Sequence, residues 1–186
     1  MKLFHGSNTV VDRPDVARSR DRLDFGRGFY LTSVKKQAEL WARRKAMRAG
    51  GRPLVNVYDF TEGDVSGNVL VFEQNDREWV EFVCSCRRGE SQDEGFDLIA
   101  GGVADDQVYR AVDLYYKGLW TLDRTIEELS FYDRNDQYCF KSQPFLDRTQ
   151  TCTRHKNPFP ILPPVGWFCF ALFPYRFSFS DSKSTT

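Results

Sequence analysis

An excess of positive over negative charge is the first thing this sequence lacks. Its 186 residues carry 26 Lys and Arg against 26 Asp and Glu, so the formal net charge is zero. Binding nucleic acid through phosphate neutralisation alone needs a surplus of cationic side chains, so we do not expect the whole chain to act as a polycation. Two local basic clusters, at residues 18–22 and 43–45, are interpreted as solvated faces of the fold.

The sequence is also poor in metal ligands and in recognisable targeting signals. It has two histidines, His5 and His155, and its five cysteines have no metal-ligand spacing. The number of cysteines is odd, and no basic-then-apolar leader is visible among the first residues. We therefore expect no metal site, and we expect reduced thiols in a cytoplasmic protein.

Proline is scarce until the end of the chain. Most of the eight prolines lie after Cys152, and no charged residue occurs between Asn157 and Tyr175. Proline at this density excludes a continuous helix or a central strand, and no basic cluster flanks the stretch to anchor a membrane span. We expect an ordered domain over residues 1–150 and an irregular, poorly ordered tail over residues 151–186. Membrane insertion is the less favoured interpretation.

The hydrophobic periodicity of residues 1–150 mixes short strands with helices. Short apolar or alternating runs predict strands at residues 2–5, 29–32, 54–60, 69–72, 96–100 and 137–140. Helical spacing follows capping residues at Ser33, Asn75 or Asp76, Asp105 and Thr121. Regular strand–helix–strand alternation is missing, so the pattern predicts an α+β domain and not a doubly wound parallel sheet.

Two stretches near the N-terminus place an aromatic or imidazole side chain beside glycine. His5 precedes Gly6 and Ser7, and glycine lets the backbone approach a ligand closely, although a histidine at a strand end is more often structural. In the run from Gly26 to Tyr30, the phenylalanine and the tyrosine point to opposite faces of a strand. One of them belongs to the core, and the other faces a cleft or solvent, where a tyrosine can stack on a flat ring.

The remaining polar positions keep two interpretations each. Asp136 and Gln137 stand just before an apolar strand, either as part of a capping turn or as groups aimed into a pocket. Arg27 lies between two glycines. We give equal weight to two interpretations of it, as a ligand for phosphate and as a solvent-exposed charge. Solvent exposure is favoured for Arg18, Arg20 and Arg22, and helix capping is favoured for Asp105.

Taken in chain order, several stretches between Leu3 and Phe140 together resemble the DUF3990 family, an uncharacterised bacterial family assigned to the ADP-ribosyltransferase-like superfold. They read LFHGSN, RLDFGRGFYLTS, QAELWARRKA, PLVNVYDF, FDLIAGGVADDQVY and NDQYCF. The resemblance implies a split antiparallel β-sheet core with flanking helices. It also implies that NAD is the substrate and that His5 bonds the adenosine ribose, while Tyr30 stacks on the nicotinamide. Gly6, Ser7 and Arg27 are the further expected NAD contacts.

The third residue of the implied site, after His5 and Tyr30, departs from the pattern of the superfold. Transferases of this fold place a glutamate where this sequence has Gln137. A carboxylate can bond the ribose, oppose the developing positive charge and accept a proton, whereas an amide can only hold and orient the ribose. Turnover would then need a good nucleophile as acceptor, or charge from a neighbour such as Asp105, Asp106 or Asp136.

The resemblance thus predicts transfer of ADP-ribose from NAD to an acceptor that is a protein, a nucleic acid, a small molecule or water. Two alternatives stay open. One is a nucleotide-binding module without turnover, which the glutamine at position 137 favours. The other is an effector docked to a partner or a membrane by its aromatic tail.

Overall fold

The computed structural model describes residues 1–61, 66–104, 106–132 and 135–156. These residues form two β-sheets and five α-helices, which confirms the predicted α+β class. The strands are β1 (Lys2–Ser7), β2 (Phe29–Leu31), β3 (Leu54–Phe60), β4 (Val69–Val71), β5 (Leu98–Gly102), β6 (Asp136–Phe140) and β7 (Gln150–Lys156). The helices are α1 (Lys35–Ala49), α2 (Arg77–Arg88), α3 (Asp106–Tyr116), α4 (Leu122–Leu129) and α5 (Gln143–Thr149).

The first sheet is antiparallel and carries helix α1 on one face. Its strand order is β1-β3-β7. Ala38 and Ala42 of α1 are fully buried and pack in one cluster with Val55 and Val57 of β3. Small side chains at a spacing of four residues give α1 a flat face, so the helix lies close to the sheet.

The second sheet departs in one respect from the expected antiparallel core. Its order is β2-β6-β5-β4, and β6 pairs antiparallel with both of its neighbours. Strand β4, however, pairs parallel with β5. Helix α2 connects these two strands and supplies the crossover that a parallel pair needs.

The two sheets meet where β1 approaches β2. Phe4 and Thr32 exchange two backbone hydrogen bonds of 2.8 and 3.0 Å in an isolated antiparallel bridge. His5 and Tyr30 lie one and two residues from this bridge. The bridge therefore brings them beside each other, although they belong to different sheets. The position of the cleft described below follows from this junction.

The largest core cluster lies between the second sheet and helices α2 to α4. Trp79, Val83 and Val112 are fully buried in it. Helix α2 begins as predicted, because the Asp76 side chain accepts from the Trp79 backbone N–H, and α4 begins with the equivalent bond from Arg124 N–H to Thr121.

Some sequence expectations need correction. Ser33 does not cap α1: the helix begins at Lys35 after Val34, which makes no side-chain capping bond. The Ser33 hydroxyl donates to the Asp136 carboxylate instead. Strand β5 starts at Leu98 and includes Gly101 and Gly102, two residues later than predicted.

The boundary between domain and tail also differs from the expected one. Residues 151–156, which we assigned to the tail, belong to strand β7 and pair with β3. The rest of the tail, residues 157–186, and the expected helix cap Asp105 lie outside the described residues.

Three cysteines can be placed with their side chains. Cys84, Cys86 and Cys139 are free and buried, and burial raises the pKa of each thiol, to about 12 for Cys86 and Cys139. Thiols of this kind are protonated at neutral pH and react slowly. No helix in the described part of the chain has the length and apolar character needed to cross a bilayer.

Candidate functional site

An open cleft of about 1110 Å³ lies at the junction of the two sheets. His5 from β1, Tyr30 from β2 and Gln137 from β6 all line it. The segment between β1 and β2 forms one wall and helix α1 forms another. The three residues that the sequence singled out are thus brought to one cavity from positions up to 132 residues apart.

His5 is held in one orientation and one protonation state. Its Nδ1 lies 2.8 Å from the backbone oxygen of Tyr30, and its ring stacks on Phe29 at a centroid distance of 4.6 Å. Because a carbonyl only accepts, Nδ1 carries the proton and Nε2 is the acceptor nitrogen. Burial lowers the pKa of His5 to about 4 against the opposing effect of the Tyr30 carbonyl, and the Lys45 charge lowers it further. At neutral pH the ring is therefore uncharged and offers the cleft a hydrogen-bond acceptor.

The lowered pKa of His5 predicts a loss of stability in acid. An unfolded chain protonates this histidine near pH 6.5, whereas the folded chain resists protonation until about pH 4. The free energy of unfolding should therefore be highest above pH 6.5 and fall between these two values, by at most ~3 kcal/mol. Urea unfolding of the wild type and of His5→Asn, compared above pH 6.5 and at pH 4, measures this contribution. A difference between the two proteins that stays constant with pH would contradict it.

Tyr30 is fixed by its hydroxyl. The hydroxyl accepts from the Phe25 backbone N–H at 3.1 Å and donates to the Gly26 carbonyl at 2.6 Å. Burial raises the pKa of Tyr30 well above 10, so the phenol stays protonated. Since the hydroxyl is engaged within the protein, what Tyr30 can offer to the cleft is the surface of its ring. Phe29, the preceding residue, is buried in the core, in agreement with the alternation predicted for this strand.

Gln137 is buried, and its amide nitrogen is engaged on two sides. Nε2 donates to the Gly102 backbone oxygen at 3.0 Å and to Asp24 Oδ2 at 3.2 Å. Asp24 also lines the cleft, and it forms an ion pair with Arg87 at 2.7 Å. The charge beside Gln137 thus comes from Asp24, a residue that sequence reasoning did not select.

The carboxylates that the sequence suggested as neighbours of Gln137 have other places. Asp136 accepts from Thr32 Oγ1 and from the Ser33 backbone N–H, each at 2.8 Å, and so fixes the turn between β2 and α1. Asp106 begins α3, and Asp105 lies outside the described residues.

Gly6 and Ser7 line the cleft, but glycine is needed at position 6 for a second reason, the close packing of helix α1. A Cβ on Gly6 would lie 2.1 Å from the Ala38 carbonyl oxygen of α1. Its lack of a side chain therefore allows close approach of helix α1, a role the sequence did not indicate. Ser7 is buried, and its Oγ lies 3.4 Å from Lys45 Nζ.

The walls of the cleft are rich in cations. The segment between β1 and β2 contributes three and helix α1 contributes three: Arg13, Arg18, Arg20, Arg44, Lys45 and Arg48. Burial, together with the charge of Arg48, lowers the pKa of Lys45. Four of these residues belong to the two basic clusters that we interpreted as solvated faces. Arg18, Arg20 and Lys45 are exposed, in agreement with that interpretation, and the same side chains also border the cleft.

Arg27 has a different position from the one expected for a phosphate ligand. Its guanidinium pairs with Asp21 at 2.7 Å, and both side chains are exposed. Arg27 is not among the described residues that line the cleft. Those residues also include no cluster of His, Cys, Asp and Glu suited to a metal ion.

The fold and the cleft define a mixed α+β domain with a neutral histidine, a fixed tyrosine and a buried glutamine at the junction of two sheets. The model of one family, described as a protein of unknown function (DUF3990), matches residues 1–150, and the chain belongs to this family. No curated protein and no solved structure matches the chain.

Proposed function

We propose that this chain binds NAD in the cleft and transfers its ADP-ribose group to an acceptor, as an ADP-ribosyltransferase-like enzyme. The observation that carries the proposal is the convergence of His5, Tyr30 and Gln137 on one cleft with cationic walls. In this proposal His5 bonds the adenosine ribose, Tyr30 stacks on the nicotinamide and Gln137 bonds the nicotinamide ribose.

The chemistry of each group suits its proposed role. The Nε2 atom of neutral His5 can accept a hydrogen bond from a ribose hydroxyl, and the immobilised Tyr30 ring loses little entropy when it stacks on a flat ligand. The pyrophosphate of NAD carries two negative charges, and cations of the cleft lining such as Arg20 and Arg48 can pair with it.

In the proposed reaction, the bond between nicotinamide nitrogen and ribose carbon breaks. Nicotinamide leaves with the bonding electron pair, the acceptor nucleophile forms a new bond to the same carbon, and the acceptor's proton is released. Hydrogen bonds to the ribose stabilise the positive charge that develops on it. The acceptor is a protein, a nucleic acid, a small molecule or water.

Calorimetric titration of the full chain with NAD tests the proposal. We expect saturable binding, weakened about tenfold by His5→Ala because one hydrogen bond is lost, and weakened further by Tyr30→Ala. Tyr116→Ala, a change at an exposed tyrosine at the end of α3, is the matched control and should bind like the wild type. No heat of binding from the wild type, or equal weakening by the Tyr116 change, would reject the proposed site.

A nucleotide-binding module without turnover is the second candidate. It is favoured by the neutral amide of Gln137 and by the pairing of the neighbouring Asp24 charge with Arg87. Chromatographic measurement of free nicotinamide during incubation with NAD separates the two functions. Release above the buffer control indicates transfer or hydrolysis, and binding without release indicates the module.

The tail-docked effector alternative rests on residues 157–186, outside the described part of the chain. Truncation after Lys156 tests it, because this cut leaves strand β7 intact. Under this alternative the full chain needs detergent for solubility and the truncated chain does not. Equal solubility of the two would reject it.

A further inference from the structure

We infer that Asp24 is a positioning residue that orients the Gln137 amide, so that Gln137 presents its carbonyl oxygen to a hydroxyl group of the ligand. The identity of that ligand as NAD rests on the proposed function. The orientation of the amide rests on contacts within the protein alone.

The two contacts of the Gln137 nitrogen fix the amide without ambiguity. A primary amide nitrogen has two N–H donors. One faces the Gly102 carbonyl at 3.0 Å and the other faces Asp24 Oδ2 at 3.2 Å. A carbonyl and a carboxylate only accept, so the nitrogen must lie on this side. Oε1 is then the polar atom of the side chain that remains for the cleft.

Asp24 is itself rigidly held. Its Oδ1 accepts two bonds from Arg87, at 2.7 and 3.2 Å, and its Oδ2 accepts from the Ala104 backbone N–H at 3.2 Å. The following residues, Phe25 and Gly26, bond the Tyr30 hydroxyl through their backbone. Residues 24–26 therefore connect Tyr30 with Gln137, and the positions of the two side chains depend on one segment.

This arrangement explains why a glutamine fits position 137. A glutamate there would direct a carboxylate at Asp24 and at the Gly102 carbonyl with no proton between them, and two carboxylates in contact repel each other. A glutamine donates to both neighbours and still accepts a hydrogen bond from a hydroxyl. The site therefore binds the ribose hydroxyl with a neutral acceptor whose orientation Asp24 controls.

The test combines Asp24→Asn, Gln137→Glu and the double variant. The amide introduced by Asp24→Asn keeps an oxygen for Arg87 but turns an NH2 group toward the Gln137 nitrogen, which is also a donor, so the Gln137 amide should reorient. In the double variant, the carboxylate introduced at position 137 is an acceptor that faces the new amide donor at position 24. Asp97→Asn is the matched control, because this partly buried carboxylate also accepts a backbone N–H, from Asn68 at 2.9 Å, and lies outside the cleft lining.

Nuclear magnetic resonance of the ligand-free protein reads the orientation, and calorimetry reads NAD binding. The Gln137 side-chain NH2 signals are assigned by their loss in Gln137→Glu. We expect slow exchange of these protons in the wild type and in Asp97→Asn, and faster exchange with shifted signals in Asp24→Asn. NAD affinity should fall at least tenfold in each single cleft variant and recover in part in the double variant, where the carboxylate at position 137 gains the amide donor at position 24 but still faces the Gly102 carbonyl.

Unchanged Gln137 signals in Asp24→Asn would overturn the inference, and so would a double variant whose loss of affinity equals the product of the two single losses. Absence of NAD binding by the wild type would reject the proposed function instead. In that case the signals of the ligand-free protein still decide whether Asp24 orients the amide.

Discussion

Gly6→Ala should lower the free energy of unfolding by ~3 kcal/mol, the upper end of the usual range for overpacked positions. The added Cβ would lie 2.1 Å from the Ala38 carbonyl oxygen and 2.7 Å from the Ala42 backbone nitrogen. Both atoms belong to the backbone of α1, so no side-chain rotation can make room. The helix must move away from β1, and the cleft wall that it forms moves with it.

Urea unfolding of Gly6→Ala and Gly118→Ala measures this effect against a matched change. Gly118 has a φ of +72° and no heavy atom within 4 Å of the added carbon, so its substitution introduces only left-handed strain of ~1 kcal/mol. Equal destabilisation by the two changes would show that close packing of β1 against α1 is not what position 6 requires.

Arg87→Met should lower the free energy of unfolding by ~3 kcal/mol as well, because it leaves a buried carboxylate without its partner. The side chains of Arg87 and Asp24 are only 14% and 17% exposed. The guanidinium also lies 4.5 Å above the Tyr109 ring, so the change removes a cation–π contact in addition.

Lys117→Met is the control for the arginine change. Lys117 pairs with Asp113 at 2.8 Å, one helical turn away, and its side chain is 59% exposed. Exposed pairs of this type contribute little to stability, because water and salt screen them. Denaturant midpoints of the two variants give the comparison, and an Arg87 variant as stable as the Lys117 variant would contradict a structural role for the buried pair.

Local features of the fold were predictable from the sequence because their causes are local. Asp76 and Thr121 cap helices whose first turns they precede, and these predictions are confirmed. Ser33 has the same sequence signature, but its hydroxyl bonds Asp136, which lies 103 residues away. A capping motif cannot show such a competitor, because the competitor is brought in by the pairing of β2 with β6.

The arrangement of the strands was harder to predict from the sequence. The parallel pairing of β4 with β5 depends on the path of helix α2 over the sheet, and a three-residue strand such as β4 carries no signal of its direction. Strand β7 was missed because it immediately follows helix α5 and precedes a stretch rich in proline and aromatics.

For the candidate site, the sequence selected three residues in or beside short apolar strands, His5, Tyr30 and Gln137, and the structure places all three at one cleft. It missed Asp24, whose contacts with Gln137 and Arg87 span 113 and 63 residues. Helical periodicity placed Arg44 and Lys45 outside the buried stripe of α1, but it could not show that a cavity borders them. The missing information was tertiary in each case.

A crystal structure of the chain soaked with NAD tests the central claim most directly. We predict the adenosine ribose within hydrogen-bond distance of His5 Nε2, the nicotinamide ring against Tyr30, and the nicotinamide ribose at Gln137 Oε1. Density for NAD at another surface, or a cleft that stays empty at saturating NAD while crystal contacts leave it open, would contradict the account.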